Sequence, residues 1–294
     1  MHPRLSRPTA FYLLASIILF FLAGSSAPSP LYGVYQAAWG FSPVTITVVF
    51  GIYAVAVLTT LLVMGSLSDH IGRRPVLVAT ILVQAGAMLL FAAAGSVRAL
   101  ILARVVQGLA TGAAAGAIGA GLLDLDKTKG TVANAVAPLL GTALGGFVSG
   151  VMAQYLPAPT QLVYLAFAAI FVLQAIGVVF IPETATRRPG AWRSLRPHLH
   201  LPENVRSAAL FAAPALIATW SLAGFYGSLG PSLARKLVGS GSLLLGGVLL
   251  LLVAGSGALM VFFTRALSAR AVLVAGTGAL IVGVAITLVG MVAG

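Results

Sequence analysis

The sequence predicts an all-α integral membrane protein of nine transmembrane helices, and three observations carry that prediction. Of its 294 residues, 60% are hydrophobic and 7% charged, with a mean hydropathy of +1.06, so a water-soluble domain would lack the polar surface to dissolve it. Apolar runs of about 20 residues recur from end to end, the length a helix needs to cross a hydrocarbon core at about 1.5 Å per residue. Basic residues gather in alternate short connections between these runs, the pattern of the positive-inside rule. Membrane β-strands would be half as long and would alternate polar with apolar residues, which these runs do not.

Taken in order, the expected spans are 10–30, 44–67, 75–95, 98–123, 131–155, 161–181, 207–229, 241–263 and 271–292. The first imitates a secretory signal, because Arg4 and Arg7 precede the apolar run Phe11–Ala23 and the small residues AGSSA. It continues into a chain of similar segments, however, and Pro28 and Pro30 end it as they would end a first membrane helix. One set of connections holds Arg4, Arg7, Arg73, Arg74, Lys127, Lys129, Arg187, Arg188, Arg193, Arg196, Arg206, Arg265 and Arg270; the other holds Arg98, Arg235 and Lys236. That split places the amino terminus in the cytoplasm of a multi-pass plasma (inner) membrane protein, and nine spans then leave Gly294 outside. The net charge of +12 is explained by this anchoring, so no nucleic-acid partner is expected; the lipid bilayer is the partner.

The longest connection, Pro182–Arg206, holds Pro182, Pro189, Pro197 and Pro202, which interrupt helix, and five Arg. The expected organisation is therefore a six-helix bundle over 1–181, a cytoplasmic linker over 182–206 and a partial bundle of three helices over 207–294. The stretch RPVLVA from Arg74 to Ala79 returns as RAVLVA from Arg270 to Ala275, each copy leading from a cytoplasmic loop into a helix. This suits two parallel repeats, and chance likeness of apolar residues after an Arg explains it equally well. If the repeat is real, the second half lacks three helices, or roughly 100 residues.

The sharpest local pattern is GSLSDHIGRRPVL, Gly65–Leu77. Gly65 lets the end of the second helix approach a neighbour, Gly72 permits a tight reversal, Pro75 suits the first turn of the next helix, and Asp69 can pair with Arg73 or Arg74. The pattern resembles the loop signature between helices two and three of the major facilitator superfamily, with His70 standing where that family commonly has a base. The resemblance implies a conformational latch of Gly65, Asp69, Gly72, Arg73 and Arg74 that closes two bundles in one state and releases them in the other. Asp124, at the inner end of helix four, is the expected further partner of Arg73, the alternative being a solvated loop acid.

RVVQGLATG, Arg104–Gly112, resembles the helix-four signature of the same superfamily, and Arg104 is the only charge well inside a span. Either it snorkels about 9 Å to the interface or it faces the bundle interior, where the resemblance implies proton or anion handling. Gln107 lies one turn on, and Gly108, Gly112 and Gly116 recur every fourth residue, which means close helix packing. NAVAPLLGTALGG, Asn134–Gly146, is similar to the signature of proton-linked exporters in its Pro138, Gly141, Gly145 and Gly146, and departs from it at Ala137 and Thr142. A proline followed by small residues makes a hinge or a tight seam. IPET, Ile181–Thr184, also resembles a family sequence, although a proline that stops a helix followed by an acid is unremarkable.

All five acids, Asp69, Asp124, Asp126, Glu183 and Glu203, are expected in loops, so no carboxylate is expected in the pathway. Polar and aromatic residues available to a cavity are Tyr32, Tyr35, Gln36, Tyr53, Gln84, Gln107, Asn134, Trp220 and Tyr226. Tyr32, Tyr35 and Trp39 read as headgroup anchors, while Tyr53, Gln107 and Asn134 with Arg104 are the better cavity residues. Such a lining suits a small lipophilic or amphipathic solute. No cofactor or metal is expected, because cysteine is absent and the four His and five acids form no catalytic cluster in the sequence. The resemblance therefore implies a secondary transporter of the drug-exporter type, with protons as an expected coupling ion for efflux by antiport, and not an enzyme. The rival reading is a truncated, non-transporting membrane protein that needs a partner.

Overall fold

The structure, a computed structural model, describes residues 4–186, 188–196 and 203–293. Arg187, Pro197 and Pro202 of the expected linker lie outside the described residues. The described residues form an all-helical membrane protein with nine helices long and apolar enough to cross a bilayer. In order the elements are α1 (Arg7–Ser26), α2 (Tyr32–Trp39), α3 (Pro43–Met64), α4 (Leu67–Ile71), α5 (Arg73–Ala92), α6 (Val97–Leu125), α7 (Lys127–Tyr155), α8 (Pro159–Val179), α9 (Ala191–Ser194), α10 (Glu203–Ser228), α11 (Gly230–Val238), α12 (Leu244–Thr264) and α13 (Ala269–Ala293).

Helix starts follow local chemistry. The Ser96 hydroxyl accepts the Ala99 N–H to open α6, and Asp126 accepts the Lys129 N–H at 2.9 Å to open α7 directly after α6 ends. The first span corrects the expectation that Pro28 and Pro30 end it. These prolines only break it: a single 3₁₀ turn, Ser29–Leu31, leads into α2, and the apolar segment runs from Arg7 to Trp39. Left-handed Gly40 then ends α2. Within the expected linker, α9 makes one helical turn despite the surrounding prolines.

Lipid tails are as apolar as leucine, so helix association in a membrane relies on close packing and hydrogen bonds. The bundle is built accordingly. Any methyl group on Gly108, Gly112 or Gly116 of α6 would press into the carbonyl oxygens of Tyr53, Val57 and Gly65 respectively, so α3 lies backbone to backbone along α6. Gly141 and Gly145 of α7 meet the backbone of Leu19 and Ala23 in α1, while Gly146 and Gly150 meet Leu250 and Gly247 of α12. Between α1, α5, α6 and α8 a larger core forms, in which Phe21 meets Phe171 edge to face at 5.3 Å and Phe91 stacks on Tyr164 at 5.0 Å. Apolar faces of α10 (Leu210, Phe211, Ile217) and α13 (Val274, Ile281, Ile286) point outward, as suits a lipid solvent.

The seam between α3 and α6 is open to test. Gly112→Leu should lower the thermal unfolding free energy by about 1–3 kcal/mol or more through overpacking, whereas Gly86→Leu, at a glycine with open space beside it, should leave the melting curve unchanged.

Candidate functional site

The buried charge of the bundle is Arg104, wholly shielded from solvent. Its neighbours follow from the break in the first span. Because Pro28 has no N–H, the Gly24 carbonyl four residues earlier loses its helical donor. Gln107 Nε2 donates to that carbonyl at 3.1 Å. Arg104 Nη1 donates to the Ser25 carbonyl at 2.8 Å and to Gln107 Oε1 at 2.7 Å. Tyr32, set just past the 3₁₀ turn, accepts from Arg104 Nε at 3.0 Å and from Nη2. The ring centroids of Tyr53, Phe91, Tyr32 and Phe50 lie 5.4, 5.5, 5.7 and 5.9 Å from the guanidinium carbon.

These contacts stand in for a counter-ion. Each hydrogen bond to a charged group contributes about 1.5–3 kcal/mol and each desolvated cation–π contact up to about 2 kcal/mol, which together match the several kcal/mol that burying a cation costs. The carboxyl end of α1, carrying the negative pole of its dipole, adds to them. Snorkelling of Arg104 is thereby overturned, because hydrogen bonding at depth satisfies more of its donors. Tyr32 and Tyr35 are likewise buried instead of lying at the headgroups; Tyr35 donates to the Tyr164 hydroxyl at 3.1 Å and stacks on half-buried Trp39 at 5.0 Å.

Gln107 and the Tyr53 ring thus join Arg104, but Asn134 does not. Its amide donates to the Gly119 carbonyl at 3.1 Å, 15 residues along α6 from Arg104, or about 22 Å. Gln84 is fully buried on α5 with no polar partner among the described residues. Trp220 faces outward, and Tyr226 pairs with Thr287 at 2.6 Å.

A second cluster lies at the end of the bundle where α1 begins. Gly72, with φ of +103°, turns the chain between α4 and α5. Glu183 seats its carboxylate on the freed start of α5, accepting the Arg73 N–H at 2.8 Å and the Arg74 N–H at 3.1 Å. A side chain at position 72 would collide with that carboxylate. Arg73, largely buried, donates to Asp69, to Ser68 Oγ at 2.8 Å and to Asp124 Oδ2 at 3.2 Å. Thr184 and Arg7 complete the cluster, Thr184 through the Asp124 side chain at 2.9 Å and Arg7 through its backbone carbonyl at 3.3 Å. The acid partner of Arg73 is therefore Asp124 as well as Asp69, and Asp124 occupies the last turn of α6 and not a loop. Arg74 enters through its backbone. His70 contacts the Ser66 carbonyl, 3.1 Å from Nδ1. Gly65 belongs to the α3–α6 seam. Sequence reading took Tyr32 for a headgroup anchor and Glu183 for an unremarkable loop acid; the two prolines and the IPET stretch were the signals for their actual roles.

Pro138 sits inside an unbroken α7. The glycines that follow divide between two partners, Gly141 and Gly145 toward α1 and Gly146 toward α12.

A family model described as Major Facilitator Superfamily matches residues 14–294. Among solved structures, the chain is similar to the human organic anion transporter MFSD10 (TETRAN), with a TM-score of 0.60 and 20% sequence identity, covering 87% of this chain and 71% of that one. At that identity the likeness is one of fold.

Tyr32→Phe removes the acceptor of two Arg104 donors. It should lower unfolding stability in detergent by about 1.5–3 kcal/mol, and unchanged melting would show that the guanidinium does not depend on Tyr32. Arg104→Lys should also be destabilising, because an ammonium cannot reproduce the planar fork that reaches Tyr32, Ser25 and Gln107 together.

Proposed function

Because the chain belongs to the major facilitator superfamily, we propose that it is an exporter of the drug-exporter type, moving a small lipophilic or amphipathic solute out across the plasma membrane in exchange for protons. Membership makes it a multi-pass membrane transporter and not an enzyme; direction, substrate and coupling are the proposed part. The observation that carries the reading is the Arg104 cluster. In the arrangement described Arg104 is enclosed with Phe50, Tyr53 and Phe91 and bonded to Tyr32, Ser25 and Gln107, so a solute reaches this cation and its rings only in a state in which these helices part.

Alternating access needs two bodies, a surface between them and a lock. We assign the bodies to 1–181 and 207–294, joined by 182–206. The surface is the glycine seam between α7 and α12, where Gly146 and Gly150 meet Leu250 and Gly247. Pro138, Gly141 and Gly145 act as the hinge of α7 along α1. The lock is the cluster of Asp69, Gly72, Arg73, Arg74 and Asp124, extended by Glu183, with Gly65 setting the α3–α6 seam beside it. Since Glu183 belongs to the joining segment, movement of that segment withdraws a carboxylate from the start of α5 and weakens the lock from outside. The preponderance of Lys and Arg at this end supports a cytoplasmic position for it and for the amino terminus.

In proteoliposomes, efflux of lipophilic and amphipathic dyes should follow an imposed proton gradient, and export independent of that gradient would reject the coupling. Asp69→Asn and Glu183→Gln should each slow turnover roughly tenfold, about 1.4 kcal/mol on the barrier, with the amount of inserted protein unchanged. Parental rates in both variants would reject the lock.

A further inference from the structure

At the end of the bundle opposite the Arg73 cluster, a cavity of about 630 Å³ opens between α2, α3 and α11, within the range of small-molecule sites. Gly33, Ser232, Arg235 and Lys236 line it, together with apolar Ile46 and Leu233. The Arg235 guanidinium lies directly on Gly33, where any side chain would displace it. Neither cation has an acid partner among the described residues. All five acids lie toward the other end: Asp69, Asp124 and Glu183 in the Arg73 cluster, Asp126 at the start of α7, and Glu203 at the start of α10, whose far end leads into α11.

Ordinary explanations do not use up these groups. Basic side chains in the last turn of a helix often hydrogen-bond its free carbonyls. Here the Arg235 and Lys236 carbonyls are already taken by the Ser240 and Gly239 N–H groups, at 3.0 and 3.2 Å. Arg235 is half-buried, and desolvation lowers its pKa from the usual value with no carboxylate to offset it. Ser232 Oγ is buried against the same cavity without a hydrogen-bond partner. Two cations and an unpaired hydroxyl beside an apolar floor lack one thing, an anion with an apolar body.

We infer that this cavity is a vestibule that binds amphipathic anions, holding a carboxylate, sulfonate or phosphate group on Arg235, Lys236 and Ser232 while the apolar part lies on Ile46 and Leu233. The inference rests on the transport reading for its consequence: Gly33 touches Arg235 and the preceding residue, Tyr32, bonds the enclosed Arg104, so two adjacent residues of α2 link the vestibule to the buried cation.

The test is equilibrium binding of naphthalene-2-sulfonate and of neutral 2-naphthalenemethanol to the full chain in phosphatidylcholine nanodiscs, by calorimetry corrected for empty discs. The sulfonate should bind saturably and roughly tenfold tighter than the alcohol. Arg235→Gln should weaken it roughly tenfold, and Lys236→Gln, at an exposed position that does not threaten folding, severalfold. Equal binding of sulfonate and alcohol, or parental affinity in both variants, would overturn the vestibule, as would a loss confined to Arg104→Gln. Adding phosphatidylglycerol to the discs separates two sources of the anion. Displacement of the sulfonate that depends on Arg235 assigns the site to a lipid headgroup, and undiminished sulfonate binding assigns it to a solute. Absent binding with intact dye efflux refutes the vestibule alone, whereas intact binding without efflux refutes the transport reading alone.

Discussion

A guanidinium held away from water must find acceptors for its donors inside the protein, and the interior of this bundle is arranged around that requirement. Two prolines open the helical ladder of the first span, and the carbonyls at the break become the acceptors that α6 needs. The same break turns Tyr32 back toward Arg104 and presents the Ala27 carbonyl to Ser149 of α7 at 2.5 Å. Three helices therefore meet at one irregular segment. Irregular backbone is tolerated at membrane depth only when protein satisfies it, so the break and the arginine each make the other tenable.

Packing then decides which helices can approach closely enough for these bonds to form. Arg104 shares α6 with Gly108, Gly112 and Gly116, and the α3 backbone those glycines admit brings Phe50 and Tyr53 against the guanidinium. Helix α7 divides its glycines between α1 and α12, so early and late helices touch along it as well as where Gly227 of α10 meets Phe50 of α3 and Arg235 of α11 meets Gly33 of α2. Side chains there would hold the helices apart by more than a hydrogen bond can span.

Charge is distributed with equal consequence. Acids and bases meet at one end, where Glu183 sits on the amino terminus of α5 and Arg73 bridges Asp69 and Asp124. Among the described residues the middle holds one buried cation, Arg104, and aromatic rings. The far end shows cations facing a cavity without an acid. Along its length the molecule thus passes from an end where acids and bases interlock amid an excess of Lys and Arg to one where Arg235 and Lys236 face a cavity with no acid partner among the described residues.

Much of this was legible in the sequence. Hydropathy settled the nine spans, because each must bury its own backbone bonds in about 20 residues, a local condition. Glycine spacing announced the seam along α6, and Gly65–Leu77 announced the turn at Gly72 and the pairing of Asp69 with Arg73. Only the tertiary structure decided that Arg104 is enclosed and not snorkelling, that Tyr32 is its partner and not a headgroup anchor, that Asn134 of α7 meets α6 at Gly119, a long way from both, and that Glu183 caps a helix 110 residues earlier in the chain. The reason is physical. Span length, turn geometry and helical spacing depend on neighbours within a turn or two, whereas the partners of a buried charge come from whichever helices packing brings beside it, and sequence distance does not record that.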